Sequence, residues 1–269
     1  RLAQQYEGYI GQLGFYRKLR SEEERLIYQV VRTFGESDFA MEASFVRAIQ
    51  DTIHQYWMGN GRGRFRAAVQ RAERAGYPGR IAAALKATGV PVDFYYLALQ
   101  ESDFIPDRVG PPTRWGRAKG MWQFIPKTGN LYDLETGVNP DGAGPDPLDQ
   151  RLDWIRATTA AARYLRDLHG MLTQSSGLLV MASYNWGEHR VLPRLDALTT
   201  SQEVFAAEFQ DVPQDPVERN YWRFLERYGD RIPAETKDYV LKIVSAAVVG
   251  RNPRLFGFDF DDPLKEFRP

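Results

Sequence analysis

The 269-residue chain has no cysteine, which removes disulfide frameworks, thiol nucleophiles and every zinc site built on thiolate. Histidine is nearly as scarce, and His54, His169 and His189 stand at no metal-ligand spacing. No apolar run approaches the roughly 20 residues that a membrane-spanning helix requires. Net charge is missing as well: 35 basic side chains balance 35 acidic ones, so no whole-molecule field draws the chain to nucleic acid or to an anionic membrane. β alternation, internal repeats and low-complexity tracts are all absent. Arg1 follows no initiator Met and opens no basic-then-apolar leader, so a trimmed or mature form is expected, with any signal or anchor outside it.

What remains is an ordinary soluble composition, 43% apolar and 26% charged, spread over enough residues for two units. Helical periodicity dominates, so the expected class is all-α. Ser21 and Glu24 form a capping box ahead of the stripe Leu26, Ile27, Val30, Val31 and Phe34, which Gly35 ends. Ser37 is placed to cap the next helix, whose stripe runs from Phe45 to Trp57 before the breaker GNGRG (59–63). Helices are predicted at 64–75 and 78–88, each closed by glycine, and then at 93–101. Pro126 can open another, and Asp153 caps a long one ending at His169, read as a cation at a helix C-terminus. Helices at 178–184 and 233–249 complete the set. A cut near Val90 divides an N-terminal helical region, 1–90, from a unit at 91–250, with 251–269 as a C-terminal arm, extended or partly loose. The N-terminal stripes suit a collar packed on the second unit, a docking surface for an envelope protein partner, or part of a helix that covers the groove.

Three strings place polar groups among apolar and aromatic neighbours: LALQESDF (97–104), AKGMWQFIPKTG (118–129) and MASYNWGEHRV (181–191). Glu101 ends an apolar helix, where desolvation and the helix dipole both oppose a negative charge and raise its pKa. A carboxyl that holds its proton near neutral pH is what a general acid for glycosidic cleavage requires. Gln123 lies between Trp122 and Phe124, and Asn185 between Tyr184 and Trp186. Aromatic faces beside amides suit a saccharide site.

The ordered set E-S, G-x-W-Q-F-I-P-x-T-G, S-Y-N-x-G-E-x-R-V and E-T-K-x-Y-V resembles the soluble lytic transglycosylase domains, a goose-type-lysozyme-like family, over residues 91–250. The Trp before Gln and the ETKDYV string (235–240) are similar to the family's membrane-bound D branch. The resemblance implies a lysozyme-like fold with Glu101 as the catalytic acid and then base. It implies substrate contacts for Ser102, Gln123, Ile125, Tyr184, Asn185, Glu235 and Tyr239. It further implies cleavage of peptidoglycan glycan strands between N-acetylmuramic acid and N-acetylglucosamine without water, leaving a 1,6-anhydromuramyl end. No metal or cofactor is implied, and the setting is the periplasm or outer membrane of the cell envelope, with a monomer expected.

Rival readings are a lysozyme-type hydrolase, with Asp103 the near candidate for a second carboxylate, and a non-catalytic peptidoglycan-binding scaffold. The loop after Glu101 is longer than the family's. It carries Arg108, Arg114 and Arg117 as candidates for substrate carboxylates, and Thr113 as the nearest hydroxyl to a serine the family often has. His189 is placed at the rim of the sugar groove. Asp141, Asp146 and Asp149 lack the spacing of a calcium loop, and aspartates in loops mostly make turns and caps.

Overall fold

The computed structural model describes residues 21–36, 41–144, 146–170, 176–187, 221–230 and 232–268. Ser37 and His189 lie outside them. Among the described residues there are helices and isolated bridges but no strand, the all-α class that the periodicity predicts.

The first helix, α1 (Glu22–Thr33), begins as expected: the Ser21 hydroxyl accepts from the Glu24 amide, and acidic side chains fill the first turn, where the helix dipole favours them. Its stripe Leu26, Ile27, Val30 and Val31 is buried. Helix α2 (Ala43–Asp51) runs into a π-helical segment, Thr52–Asn60, that breaks at Gly59. Helices α3 (Arg62–Arg74) and α4 (Tyr77–Ala87) follow. A short 3-10 turn (Val92–Phe94) leads into α5 (Tyr95–Ser102), then come α6 (Pro126–Leu131), α7 (Trp154–His169), α8 (Gly177–Gly187), α9 (Tyr221–Tyr228) and α10 (Ala234–Arg251). Asp153 caps α7 by accepting from the Ile155 and Arg156 amides.

Helix α10 is the axis of the molecule. It packs against α8, α5, α1, α2 and the π-helical segment, and from Ile243 to Gly250 it is buried on every side. A helix that is apolar all round belongs inside a core. The stripes of α1 to α4 enter the same apolar cluster as α5 and α10, so residues on both sides of Val90 share one interior. Trp57 secures that packing, donating from its indole to the Ser245 hydroxyl at 2.9 Å and to the Lys242 carbonyl at 3.1 Å.

Two expectations give way. The C-terminal arm is neither extended nor loose: it forms 3-10 turns at Pro253–Phe256 and Lys265–Phe267, with Phe256, Phe258 and Leu264 buried. Phe258 and Phe260 pack on Phe65 of α3, an apolar contact that residue spacing alone does not reveal. His169 is not a cation at the end of α7. Burial pushes its imidazole down to about 4, and its ring stands edge-on to Phe94.

Candidate active site

Glu101 sits in the last turn of α5, whose other side chains are almost all buried. Partial burial among them strips water from the carboxyl and pushes its pKa up to about 7. The Tyr239 hydroxyl of α10 donates to Glu101 Oε1 and pulls the pKa the other way. The negative charge of Glu235, exposed in the first turn of α10, pushes it up again.

The four motifs close into a ring of hydrogen bonds. Ser102 Oγ donates to the Met121 carbonyl at 2.8 Å, tying α5 to the loop before α6. The Tyr184 hydroxyl of α8 donates to the Trp122 carbonyl in that same loop at 2.7 Å. Thr236 Oγ1 of α10 donates to Asn185 Oδ1 of α8 at 2.8 Å. Tyr239 returns the ring to Glu101. Each motif holds the next, which is why their order along the chain carries more meaning than any one string.

Burial divides the sequence-predicted site residues into two groups. Glu101, Gln123 and Asn185 are partly open and Glu235 is exposed, so these can meet a ligand. Ser102, Ile125 and Tyr184 are almost completely buried, and Tyr239 nearly so. Ser102 and Tyr184 spend their hydroxyls on backbone carbonyls. Trp122 and Phe124 are wholly buried, and the Trp122 indole donates to Thr158 Oγ1 of α7 at 2.9 Å. The aromatics flanking Gln123 are thus anchors in the core and offer no face to a sugar. Between them Gln123 adopts a left-handed backbone, φ 50°, and its amide donates to the Gly120 carbonyl at 2.7 Å. Gly120, at φ 84°, has no room for a side chain: a Cβ there would lie 1.8 Å from the Arg151 carbonyl oxygen.

That carbonyl belongs to a buried charge cluster that was not apparent as a unit in the sequence. Asp149 is fully buried between Lys119 Nζ at 3.1 Å and Arg151 Nη2 at 2.7 Å. Arg151 also donates to the carbonyls of Arg117, Phe124 and Pro140, and Lys119 to that of Asn139. Removing charges from water is costly, and the cluster offsets that cost by satisfying each donor. Its consequence is local: the long loop around Gln123 is fastened from beneath. Asp149 therefore serves as a counter-ion. Asp146 accepts from the Val138, Asn139 and Leu148 amides, and Asp141 from the Arg117 amide. Among the described residues no group of three or more His, Asp or Glu could hold a metal.

The loop arginines are also mostly engaged within the protein. Arg117 donates to the Asp141 and Gly110 carbonyls, and Arg108 pairs with Asp103 at 3.4 Å. Asp103 is further held by Arg64 Nε at 2.5 Å, so it faces a cationic clamp and is no partner for Glu101. Thr113 closes its own turn, donating to the Gly116 carbonyl. Arg114 is exposed and lies over the Trp115 ring.

A second carboxyl that sequence reasoning missed is Glu36, just beyond α1. Ser176 Oγ and the Tyr221 amide both donate to it, joining the starts of α8 and α9. Burial pushes its pKa up to about 7. Nothing in the periodicity of α1 signals a buried acid one residue past its terminating glycine.

Residues 80–201 match the family described as Transglycosylase SLT domain. Two relatives, both named membrane-bound lytic murein transglycosylase D, come from Escherichia coli K12 and from Escherichia coli O6:H1. Each is 29% identical over 177 residues, which is 66% of this chain and 32% of the relative. The matched stretch thus spans about a third of the relatives' length. No described helix is long and apolar enough to cross a membrane. The stretch that matches the transglycosylase SLT domain takes in Glu101, Gln123, Tyr184 and Asn185, and the ring of motifs closes through the α10 helix that follows it.

Proposed function

We propose that this chain is a peptidoglycan lytic transglycosylase that cuts the β-1,4 bond between N-acetylmuramic acid and N-acetylglucosamine without water. The observation that carries the reading is the state of Glu101: a desolvated carboxyl with its pKa near 7, fixed by Tyr239 where four motifs meet. Such a group is protonated often enough at neutral pH to donate to a leaving alkoxide, and afterwards basic enough to take a proton back.

Glycosidases usually employ two carboxylates. Asp103 is paired with Arg64 and Arg108, and the second role is assigned to the substrate. The acetamido oxygen of the muramyl sugar stabilises the developing cation, as in substrate-assisted enzymes. The C1–O4 bond breaks as the Glu101 proton passes to the departing oxygen. The muramyl 6-hydroxyl then attacks C1 and gives its proton to Glu101, which closes the anhydro ring and restores the acid. The intramolecular hydroxyl outcompetes water through proximity.

The other residues take roles that follow from their exposure. Gln123, Asn185 and Glu235 meet the sugar, while Tyr239 sets the proton affinity of Glu101. Ser102, Ile125 and Tyr184 shape the site from within, by fixing the loop that carries Gln123. The substrate is the glycan strand of the cell wall, and the place of action is the cell envelope. Solubilisation of purified sacculi tests the reading: the unmodified chain releases fragments, Glu101→Gln does not while still binding, and failure of the unmodified chain contradicts it.

A further inference from the structure

Twelve residues along α10 from Tyr239, roughly 18 Å at the rise of an α-helix, Arg251 lines a cavity of about 610 Å³. Lys86, Asp93, Arg268 and Thr33 share its wall, together with the apolar turn of residues 89–92. Three cations thus face one anion. Asp93 is fully buried and receives Arg251 Nη2 at 3.3 Å and Arg268 Nη2 at 2.9 Å. Arg268 has a second partner in Asp262, which does not line the cavity.

Donors outnumber acceptors in this cluster. Arg251 Nε is withdrawn from solvent and donates to nothing among the described residues. Lys86 is exposed and forms no ion pair among the described residues. A buried donor left without an acceptor is costly, so a ligand that supplies one recovers that cost.

We propose that this cavity binds the free carboxylate end of a short peptide with small apolar side chains. A carboxylate brings only acceptors and one negative charge, matching both the donor surplus and the positive excess. The turn 89–92 offers an apolar wall to methyl-sized side chains. The volume falls within the roughly 300–1,000 Å³ of small-ligand pockets, enough for a dipeptide. An inorganic anion would use the charge and leave the apolar wall wet.

The probe is N-acetyl-alanyl-alanine, titrated into the full chain by NMR or calorimetry, with its C-terminal amide as control. The acid saturates below about 10 mM, and the amide binds about tenfold more weakly or less. Lys86→Glu, at an exposed position and checked for fold by circular dichroism, abolishes the binding, and Lys86→Arg retains it. Glu101→Gln binds the peptide as the unmodified chain does. The proposal is overturned by absence of saturation, by equal binding of the amide, by indifference to Lys86→Glu, or by loss in Glu101→Gln, which would put the peptide in the active site.

Discussion

The Tyr239 hydroxyl of α10 donates to Glu101 Oε1 of α5, a contact across 138 residues that joins the last motif to the first. It stabilises the ionised carboxyl against the burial that opposes it. Tyr239→Phe removes the donor and keeps the ring, so the pKa of Glu101 rises from about 7. The alkaline limb of the cleavage profile then moves to higher pH, and the rate at pH 7 falls about 10-fold to 100-fold as Glu101 loses its orientation and its readiness to act as base. Rates measured from pH 5 to 9 check this; an unshifted limb would show that Tyr239 does not tune Glu101.

Glu101→Gln separates chemistry from stability. Cleavage falls by at least about a thousandfold, because the group that hands over the proton and takes it back is gone. Stability moves the opposite way. The folded pKa, about 7, lies above the reference 4.5, so between those pH values the folded chain binds more protons than the unfolded one. Stability therefore declines as pH rises through that window, and the full cost of burying the charge is present above pH 7. The glutamine variant is relieved of it, by about 1–3 kcal/mol at pH 8 and little at pH 4.5. Urea midpoints at the two pH values give the comparison, and equal differences at both would contradict the assignment.

Glu36 repeats the pattern at the junction of α1, α8 and α9, with its pKa also near 7. Here the carboxyl holds two donors, Ser176 and the Tyr221 amide. Glu36→Gln keeps one acceptor oxygen and is stabilising or neutral at pH 8. Glu36→Ala leaves both donors unmet in a buried place and destabilises at every pH by about 1–3 kcal/mol. Thermal melts of the two variants at pH 5 and 8 distinguish the cases.

The buried Lys119, Asp149 and Arg151 cluster supports the Gln123 loop. Asp149→Asn removes the anion and leaves two cations buried together, a loss of about 3–5 kcal/mol. Where the variant remains folded, cleavage falls with the loop, while the pH limb set by Glu101 stays in place. The urea midpoint reports the first effect and the pH profile the second.

Legibility in the sequence followed the range of the interactions. Helix starts governed by one nearby side chain, such as Ser21 and Asp153, were readable because their bonds span only two or three residues. The raised pKa of Glu101 was readable from its apolar helix, while its catalytic reading came only from the company of the other motifs. The sense of Trp122 and Phe124 was not: an aromatic pair around Gln123 fits a sugar platform or a core anchor equally well, and only the Thr158 partner of Trp122 decides. Asp149 looked like one loop acid among three: Arg151 stands two residues away, but Lys119, which completes the buried cluster, lies 30 residues away. The folded tail, Glu36 and the Asp93 cluster were hidden for the same reason, because long-range partners leave no local periodicity.

The central claim is that Glu101 alone, with the substrate supplying the second group, cuts glycan strands without water. Mass spectrometry of the muropeptides released from purified sacculi tests it most directly. Fragments ending in 1,6-anhydromuramic acid are expected. Fragments ending in reducing muramic acid, heavier by one water, would contradict it and make the chain a hydrolase.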